Sequence, residues 1–237
     1  AMNYNTVSLS RKKRKAIKHA SSRWPQDEIP YEIIPDQFND EALDLIYQAM
    51  HVWQQYTCIK FRPVHSLDRN YIKIINGTGC YSQVGMIGGP QEVSLNTADC
   101  INLNFITHEL GHAIGFFHEQ NRPDRDQFVT IIMENVENEY NYKISYEIDT
   151  YGVPYDYKSL MHYSGDGKNG KIAIQTKDPS FQNIIGKANG LSFNDIKLAN
   201  LMYRCNRKCL IPLRCQNFGF QGKDCKCWCE GNPVQRC

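Results

Sequence analysis

Long hydrophobic runs and a strong net charge are both absent from this sequence of 237 residues. No apolar stretch approaches the ~18 residues that a membrane-spanning helix needs, so we expect no membrane span. A formal net charge of +2 is too small to indicate binding to nucleic acid or to an anionic membrane. The N-terminus has no apolar signal-peptide core, so we expect that a precursor has lost it or that the sequence begins after it.

The paired C-x-x-C spacing of a zinc ribbon is also absent, although the chain contains ten cysteines. Six of them lie between residues 209 and 237, a segment too short to build a core, so disulfides must hold it together. An even number of cysteines crowded in this way predicts an oxidising compartment, and we expect a secreted, extracellular protein. Asn76 begins the only N-glycosylation sequon and is a candidate glycosylation site, which is consistent with secretion.

The composition, with 41% hydrophobic and 22% charged residues, predicts an ordinary globular protein with one good-sized core and room for a small module. Apolar residues at helical spacing predict a helix over residues 39–56, capped by Asn39 or Asp40. A last helix is predicted to begin at the S-x-x-D of residues 192–195. Strands are predicted at residues 29–35, 59–61 and 71–75.

The most informative stretch reads H-E-x-x-H-x-x-G-x-x-H over residues 108–118. His108 and His112 lie one turn apart on a helix, so both imidazoles can reach one metal ion. Gly115 can adopt the positive φ that ends a helix and turns the chain, which lets His118 approach the same ion. Three neutral nitrogen ligands leave the fourth position of a tetrahedral zinc site open, so the motif predicts one catalytic Zn²⁺.

The helix that carries this motif has an apolar stripe at three- and four-residue spacing, formed by Leu103, Ile106, Leu110 and Ile114. The histidines lie roughly opposite the stripe, so we expect the helix to pack into a core and present its ligands to a cleft. Glu109 is placed to take a proton from the attacking water. A core helix explains a single buried histidine, but three histidines and a glutamate in this register indicate metal chemistry.

Residues 108–126 resemble the zinc signature of the astacin family, within the metzincin metallopeptidases. The downstream sequence S-L-M-H-Y at residues 159–163 resembles the family's Met-turn, and the resemblance covers roughly residues 15 to 205. It implies an α+β fold with a two-subdomain catalytic domain, in which a twisted, mostly parallel sheet and two long helices precede an irregular C-terminal subdomain. It also implies a zinc-dependent endopeptidase that hydrolyses peptide bonds in proteins.

The same resemblance implies roles for individual residues. Met161 provides an apolar floor under the metal, and the Tyr163 hydroxyl stabilises the oxyanion together with the zinc. Glu119 is the glutamate that follows the third histidine, and His162 is treated as structural. By these roles, Glu109→Ala is expected to abolish hydrolysis while leaving the zinc in place. The alternative is a catalytically silent zinc-binding module that acts in adhesion or signalling.

Residues 1–14 are interpreted as a propeptide remnant that ends in the basic cluster R-K-K-R. Such a cluster could also be a nuclear-localisation or heparin patch, or a solvated face. The family resemblance favours a processing site between Arg14 and Lys15, because mature chains of the family start nine residues before a characteristic tryptophan, here Trp24. The freed amino group of Lys15 is then expected to pair with Glu119, since a buried carboxylate needs a partner.

In this family an edge strand pairs antiparallel with the extended substrate. Residues 91–96 are predicted to be that strand, which makes Val93, Ser94 and Leu95 candidate substrate-binding residues; an ordinary edge strand is the alternative. The family's frequent preference for an acidic residue after the cut implies a basic residue in the receiving pocket, and Lys187 is a candidate. We expect protein or peptide substrates, no nucleic acid and a monomer.

The resemblance also implies the disulfides Cys58–Cys205 and Cys80–Cys100. A catalytic domain at residues 15–205 is then followed by a cysteine-rich module at residues 206–237, which resembles a compact EGF-like module with an unusually tight C-x-C-x-C spacing. Six cysteines allow fifteen pairings, so the sequence assigns none of them. The module could bind a partner or simply cap the catalytic domain.

Overall fold

A computed structural model describes residues 16–237, which form three α-helices and twelve strands. The strands are β1 (Ala16–Ile17), β2 (Glu28–Ile33), β3 (Lys60–Pro63), β4 (Tyr71–Ile75), β5 (Cys80–Ser82), β6 (Pro90–Leu95), β7 (Val129–Ile131), β8 (Ile148–Asp149), β9 (Ile174–Thr176), β10 (Phe220–Gln221), β11 (Cys227–Glu230) and β12 (Val234–Arg236). The α-helices are α1 (Asp40–Tyr56), α2 (Leu103–Ile114) and α3 (Phe193–Met202).

The main sheet has five strands in the order β3-β2-β4-β6-β5. The first four run parallel to one another, and β5 pairs antiparallel with β6 at one edge. The long helices α1 and α2 share a core with the sheet, because Trp53 and Leu110 are fully buried in the same cluster as Ile72. The predicted combination of a mostly parallel sheet with two long helices is confirmed.

The prediction that residues 91–96 form an edge strand needs correction. Strand β6 pairs with β4 on one side and with β5 on the other, so its backbone hydrogen-bonding groups already have partners on both sides. Val93, Ser94 and Leu95 are fully buried, and no substrate can lie against them. The edge is β5 instead, whose three residues follow a glycine-rich turn and are too few to show a strand pattern in the sequence.

The predicted helix ends agree with the structure. Asn39 caps α1 by accepting a hydrogen bond from the backbone N–H of Ala42. At the start of α3, Ser192 and Asp195 form a capping box in which each side chain accepts from the other's backbone N–H. Residues 134–147 form no α-helix and contain only short 3₁₀ turns and loop.

After α2 the chain becomes irregular, as predicted, with two-stranded pairs β1-β8 and β7-β9 as its only regular sheet pairings before α3 in the described part. Arg122 is fully buried there and holds the segment together: its guanidinium donates to Glu119, to Asp124 and to the carbonyl oxygen of Pro154. A buried guanidinium needs such a set of acceptors, so Arg122 braces the loop that follows His118.

The C-terminal segment, residues 206–237, is fastened to the rest of the chain by packing as well as by chain connection. Its three strands form an antiparallel sheet in the order β10-β11-β12. Phe220 and Trp228 are buried, and their rings contact Phe193 of α3 and Tyr56 of α1 respectively. Its disulfides join the six cysteines first to third, second to fourth and fifth to sixth, as Cys209–Cys225, Cys215–Cys227 and Cys229–Cys237.

Replacing both cysteines of the Cys58–Cys205 disulfide by serine is expected to lower the free energy of unfolding more than any other single disulfide removal. The bond spans 147 residues of sequence and links the segment just after α1 to the segment just after α3. The chain-entropy model gives about 5 kcal/mol for a loop of that size. Urea unfolding at fixed zinc concentration measures the change.

The matched control is the same pair of substitutions at Cys80–Cys100, which closes a separation of only 20 residues. The loop is shorter, so about 3 kcal/mol is expected. Equal losses for the two double variants would show that loop length does not govern the stabilisation.

Candidate active site

The three histidines of the motif converge on one point. His108 and His112 extend from one face of α2, and Gly115 ends the helix with a φ of 125°, which redirects the chain toward them. The Nε2 atoms of His108 and His112 each lie 3.1 Å from Nε2 of His118. In the described part of the chain this is the single group of three or more candidate ligands close enough to hold one metal ion.

The outer nitrogen of two of these rings is tied to the backbone. Nδ1 of His108 lies 2.8 Å from the carbonyl oxygen of Leu160, and Nδ1 of His112 lies 2.7 Å from that of Phe116. A carbonyl oxygen only accepts, so each Nδ1 carries the proton and each Nε2 presents its lone pair to the centre. Partners of this kind orient metal-binding imidazoles and increase their basicity.

The surroundings keep the three imidazoles neutral. Burial lowers the pKa of His108, and burial together with the neighbouring rings lowers the pKa of His112 to about 3 and that of His118 well below its usual value. Neutral imidazole is the form that binds metal. Three lone pairs pointed at one another would repel without a cation between them, so the arrangement indicates a metal site.

Zinc fits this donor set. Nitrogen ligands about 2.0–2.1 Å from a tetrahedral zinc ion lie roughly 3.3 Å apart, close to the 3.1 Å separations between the Nε2 atoms. Three nitrogen donors are also the set typical of catalytic rather than structural zinc. His108, His112 and His118 are therefore the residues that would hold the ion.

Glu109 lies beside the metal ligands with its side chain buried. Burial raises the pKa of Glu109 from 4.5 to about 7. A divalent cation held by the histidines would lower this pKa again, because it favours the charged form. A carboxylate whose pKa lies near neutrality can both accept and return a proton.

The Tyr163 ring packs against His118, and the two ring centroids are 4.3 Å apart. Burial, with smaller contributions from Tyr142 and Glu109, raises the pKa of Tyr163 to about 12. The phenol is therefore protonated at neutral pH and can donate a hydrogen bond to a developing negative charge. The Tyr163 backbone N–H donates to Gln120 Oε1 at 3.2 Å, which holds the backbone of this residue in place.

Met161 is fully buried against α2, the helix that carries His108 and His112. A Cβ added to Gly111 would meet Met161 Sδ at 3.0 Å and the Trp53 ring at 3.2 Å, so only glycine lets the methionine approach the helix this closely. The backbone N–H of Glu119 donates to the Met161 carbonyl oxygen at 2.9 Å. The Met-turn therefore supports both the helix with two ligands and the segment with the third.

Asp195 was not predicted to contribute to the site. It supports the metal ligand His108 indirectly, through hydrogen bonds to the Ser159–Leu160 segment whose carbonyl group binds the His108 ring. Its carboxylate accepts from the Ser159 hydroxyl at 2.7 Å and from the Leu160 N–H at 2.9 Å. The Leu160 carbonyl oxygen in turn accepts from His108. The S-x-x-D pattern predicted only a helix cap, because the second use of the carboxylate depends on a contact with residues 35 positions away.

Glu119 is completely buried beside the third ligand. Its Oε1 accepts from the Arg122 guanidinium at 3.1 Å and from the Asp156 backbone N–H at 2.8 Å. The predicted partner of Glu119, the amino group of Lys15, lies outside the described residues, as does Arg14. Ala16 is fully buried, and the Ile17 N–H donates to the Gly115 carbonyl oxygen at 3.1 Å.

The metal site opens into a cavity of about 540 Å³ whose wall includes His108, Glu109, Tyr163 and Cys80. Gly186 and Ala188 also line it, but Lys187 between them does not. Lys187 lines a neighbouring cavity instead. The position of Lys187 in the sequence could not show which of the two adjoining cavities its side chain lines.

The comparisons with known proteins agree with this geometry. The family model for astacin, which describes a family of peptidases, matches residues 16–204. The chain belongs to the astacin family. High choriolytic enzyme 1, a hatching enzyme zinc-protease from the medaka Oryzias latipes, has a solved structure similar to it, with a TM-score of 0.70 and 34% identity over 86% of this chain and 98% of that one. The predicted astacin-like fold and the predicted zinc cofactor are confirmed.

Two curated relatives extend the comparison of this astacin-family chain. Blastula protease 10 of Paracentrotus lividus is 40% identical over 234 residues, which are 92% of this chain and 39% of that protein. Zinc metalloproteinase nas-13 of Caenorhabditis elegans is 41% identical over 198 residues, which are 81% of this chain and 43% of that protein. The chain thus spans about two fifths of the length of these relatives.

Proposed function

We propose that this astacin-family chain is a zinc-dependent endopeptidase that hydrolyses peptide bonds in proteins. The observation that carries the proposal is the convergence of three neutral imidazoles next to the buried carboxylate of Glu109, at the wall of an open cavity. A structural zinc site would be closed by a fourth protein ligand, and no fourth candidate ligand joins the histidines among the described residues.

The residues divide the chemistry between them. A zinc ion held by the histidines would lower the pKa of the attacking water and polarise the scissile carbonyl. Glu109 accepts the proton that this water loses and then gives it to the nitrogen of the leaving amine. Tyr163 donates its hydroxyl proton in a hydrogen bond to the carbonyl oxygen as negative charge develops there.

The substrate is proposed to bind along β5. This strand lies at the edge of the sheet, and Cys80 at its start belongs to the wall of the catalytic cavity. A peptide in extended form can add to such an edge through backbone hydrogen bonds, which explains tolerance of many sequences. The enzyme is further proposed to act as a monomer.

Removal of the metal tests this function. Incubation with a zinc chelator is expected to abolish cleavage of a protein substrate, and added Zn²⁺ restores it. Metal analysis is expected to find one zinc ion per chain. Activity that persists in zinc-free protein would contradict the proposal, whereas bound zinc without any cleavage would favour the silent adhesion or signalling module.

Tyr163→Phe is expected to lower kcat by about 10²-fold with little change in KM, because an oxyanion donor acts mainly in the transition state. Steady-state kinetics on a peptide substrate measures both constants. Tyr146→Phe is the matched control, since this tyrosine is 74% exposed and lines neither cavity. A kcat for Tyr163→Phe within twofold of the control would contradict the role.

The chain is further proposed to be secreted and made as a zymogen that is cut between Arg14 and Lys15. The burial of Ala16 supports this, because Ala16 pairs with Phe116 just after α2, so the chain is already inside the fold at the second residue after the proposed cut. Mass measurement of the secreted form is expected to give a chain that begins at Lys15. A secreted, active chain that retains Arg14 would contradict it.

The remaining proposals concern the surface and the tail. Asn76 is exposed, which supports N-glycosylation at its sequon. Residues 206–237 are proposed to be an EGF-like module, and the interleaved disulfides with a three-stranded antiparallel sheet support this. No helix among residues 16–237 has the length and apolar character needed to cross a membrane.

A further inference from the structure

Two cavities adjoin on the face of the molecule that carries the metal site. The catalytic cavity and a second cavity of about 300 Å³ both have Ala188 in their walls. The rim between them is held by a hydrogen bond in which Asn104 Nδ2 donates to Asn189 Oδ1 at 3.3 Å. Asn104 lines the catalytic cavity and Asn189 lines the second one, so the two are neighbouring parts of one surface groove.

The direction of the substrate decides which part of it reaches the second cavity, and this step rests on the proposed endopeptidase function. A peptide antiparallel to β5 runs from the Ser82 end of that strand toward the Cys80 end. The catalytic cavity has Cys80 but not Ser82 in its wall, so it lies in the direction of the residues after the scissile bond. The second cavity continues beyond it, past Ala188.

The second cavity is formed jointly by the catalytic domain and the cysteine-rich module. One wall consists of Asp156, Lys158, Ile184 and residues 187–194, and the other of residues 230–233 at the turn between β11 and β12, here called the module tip. Ligand sites occur preferentially at such interfaces between domains. The module therefore has a position in which it can contact a substrate as well as stabilise the catalytic domain.

The module that carries this tip is anchored to α1 and α3. Trp228 on β11 is buried and packs against Tyr56, while Lys197 of α3 donates to the Phe218 carbonyl oxygen at 2.5 Å. Lys223 of the module donates to the Gln54 carbonyl oxygen of α1, also at 2.5 Å. Because the wall is fixed before a ligand arrives, binding there costs little ordering entropy.

The exposed charges of the second cavity are unequal. Lys158 and Lys187 are exposed on the catalytic side, and Glu230 is exposed on the module tip. Asp156 is buried, and its carboxylate accepts from the Ser192 hydroxyl and the Lys158 backbone N–H. Two ammonium groups against one exposed carboxylate favour an acidic ligand side chain.

We propose that the module tip is part of the substrate-binding groove and that the second cavity binds the second and later residues after the scissile bond. An acidic side chain at these positions is favoured by Lys158 and Lys187 and is opposed by Glu230. The cysteine-rich module then contributes to the choice of substrate through this contact.

The test uses the full chain and two peptides chosen from a cleavage-profiled library. The peptides are identical through the first residue after the cut and then carry either two aspartates or two lysines. The measured quantity is the ratio of kcat/KM for the acidic peptide over the basic one. Glu230→Lys is expected to raise this ratio about fivefold, and Lys158→Glu is expected to lower it by a similar factor, as for partly exposed charge pairs.

The control is Asp44→Lys, the same type of charge reversal at an exposed carboxylate on α1 that lines neither cavity. It is expected to leave the ratio within twofold of the wild type. A ratio that moves no more in Glu230→Lys and Lys158→Glu than in this control would overturn the proposal. Thermal unfolding of each variant confirms that it is folded, and the opposite signs expected for the two variants exclude a general loss of stability as the cause.

A binding measurement separates this inference from the function on which it rests. Glu109→Ala protein loaded with zinc is expected to turn the labelled peptides over at least about 10²-fold more slowly, so fluorescence anisotropy on a short timescale reports affinity. The acidic peptide is expected to bind more tightly, and Glu230→Lys in this background is expected to increase the difference about fivefold. Charge-dependent binding without cleavage by the wild type would contradict the endopeptidase function alone, and cleavage with charge-independent binding would contradict the groove alone.

Discussion

Glu109→Ala is expected to lower kcat/KM for peptide hydrolysis by roughly 10²–10⁴-fold, the range for loss of a positioned general base. The reason is that the other titratable side chains in the cavity wall are already engaged. His108 is tied to the Leu160 carbonyl oxygen, and the ring nitrogens of His162 are hydrogen-bonded to the Tyr155 hydroxyl and the Tyr163 carbonyl oxygen. Tyr163 keeps its proton because its pKa is about 12. The measurement is steady-state hydrolysis of a fluorogenic peptide at saturating zinc.

The zinc content of the Glu109→Ala protein is expected to remain one ion per chain, because the three imidazoles are unchanged. Glu134→Ala serves as a control, since this glutamate is exposed and lines neither cavity. Hydrolysis by Glu109→Ala at the rate of this control would show that another group takes the proton. Loss of zinc together with activity would instead assign Glu109 a part in holding the metal.

Asp195→Ala is expected to lower the free energy of unfolding by about 3–5 kcal/mol and to weaken zinc binding by about tenfold or more. The buried carboxylate accepts three hydrogen bonds, from the Ser159 hydroxyl and from the backbone N–H groups of Leu160 and Ser192. Its removal takes the carboxylate acceptor away from these donors and releases the Leu160 carbonyl group that orients His108. Urea unfolding and competition with a zinc-binding dye measure the two effects.

Asn39→Ala is the matched control for Asp195→Ala, because it removes a helix cap of the same kind from α1. About 1 kcal/mol of stability is expected to be lost, with no change in zinc affinity. If Asp195→Ala behaved like this control, the carboxylate would act only as a cap of α3. A loss of stability without a change in zinc affinity would show that Leu160 keeps its position unaided.

The local features of the site could be predicted because they depend on residues close together in the chain. The spacing of His108 and His112 fixes both imidazoles on one helical face, and Gly115 provides the positive φ that brings His118 back. The caps at Asn39 and Ser192 follow from side chains that reach a backbone N–H three residues away. Periodicity over one helix is enough for all of these predictions.

The substrate-binding strand was assigned to the wrong element because a local sequence pattern does not show how strands are ordered in a sheet. The strand pattern of residues 91–96 correctly predicts β6, but a strand pattern has no information about its neighbours in the sheet. Only the pairing of β5 with β6 shows that Val93 and Leu95 are interior and that Cys80 borders the catalytic cavity. Lys187 is a similar case, since the folding of its turn decides which of two cavities its side chain faces.

The sequence by itself determined the three histidines of the metal site, the family and the caps of α1 and α3, and it supplied Glu109 as the proposed general base. Each of these depends on residues that lie within a few helical turns of one another. Tertiary structure alone decided which strand is the edge, that Asp195 supports His108, and that the module tip lines a second cavity next to the catalytic one. These depend on contacts between distant segments, whose approach is set by the burial of the whole core and not by any local pattern.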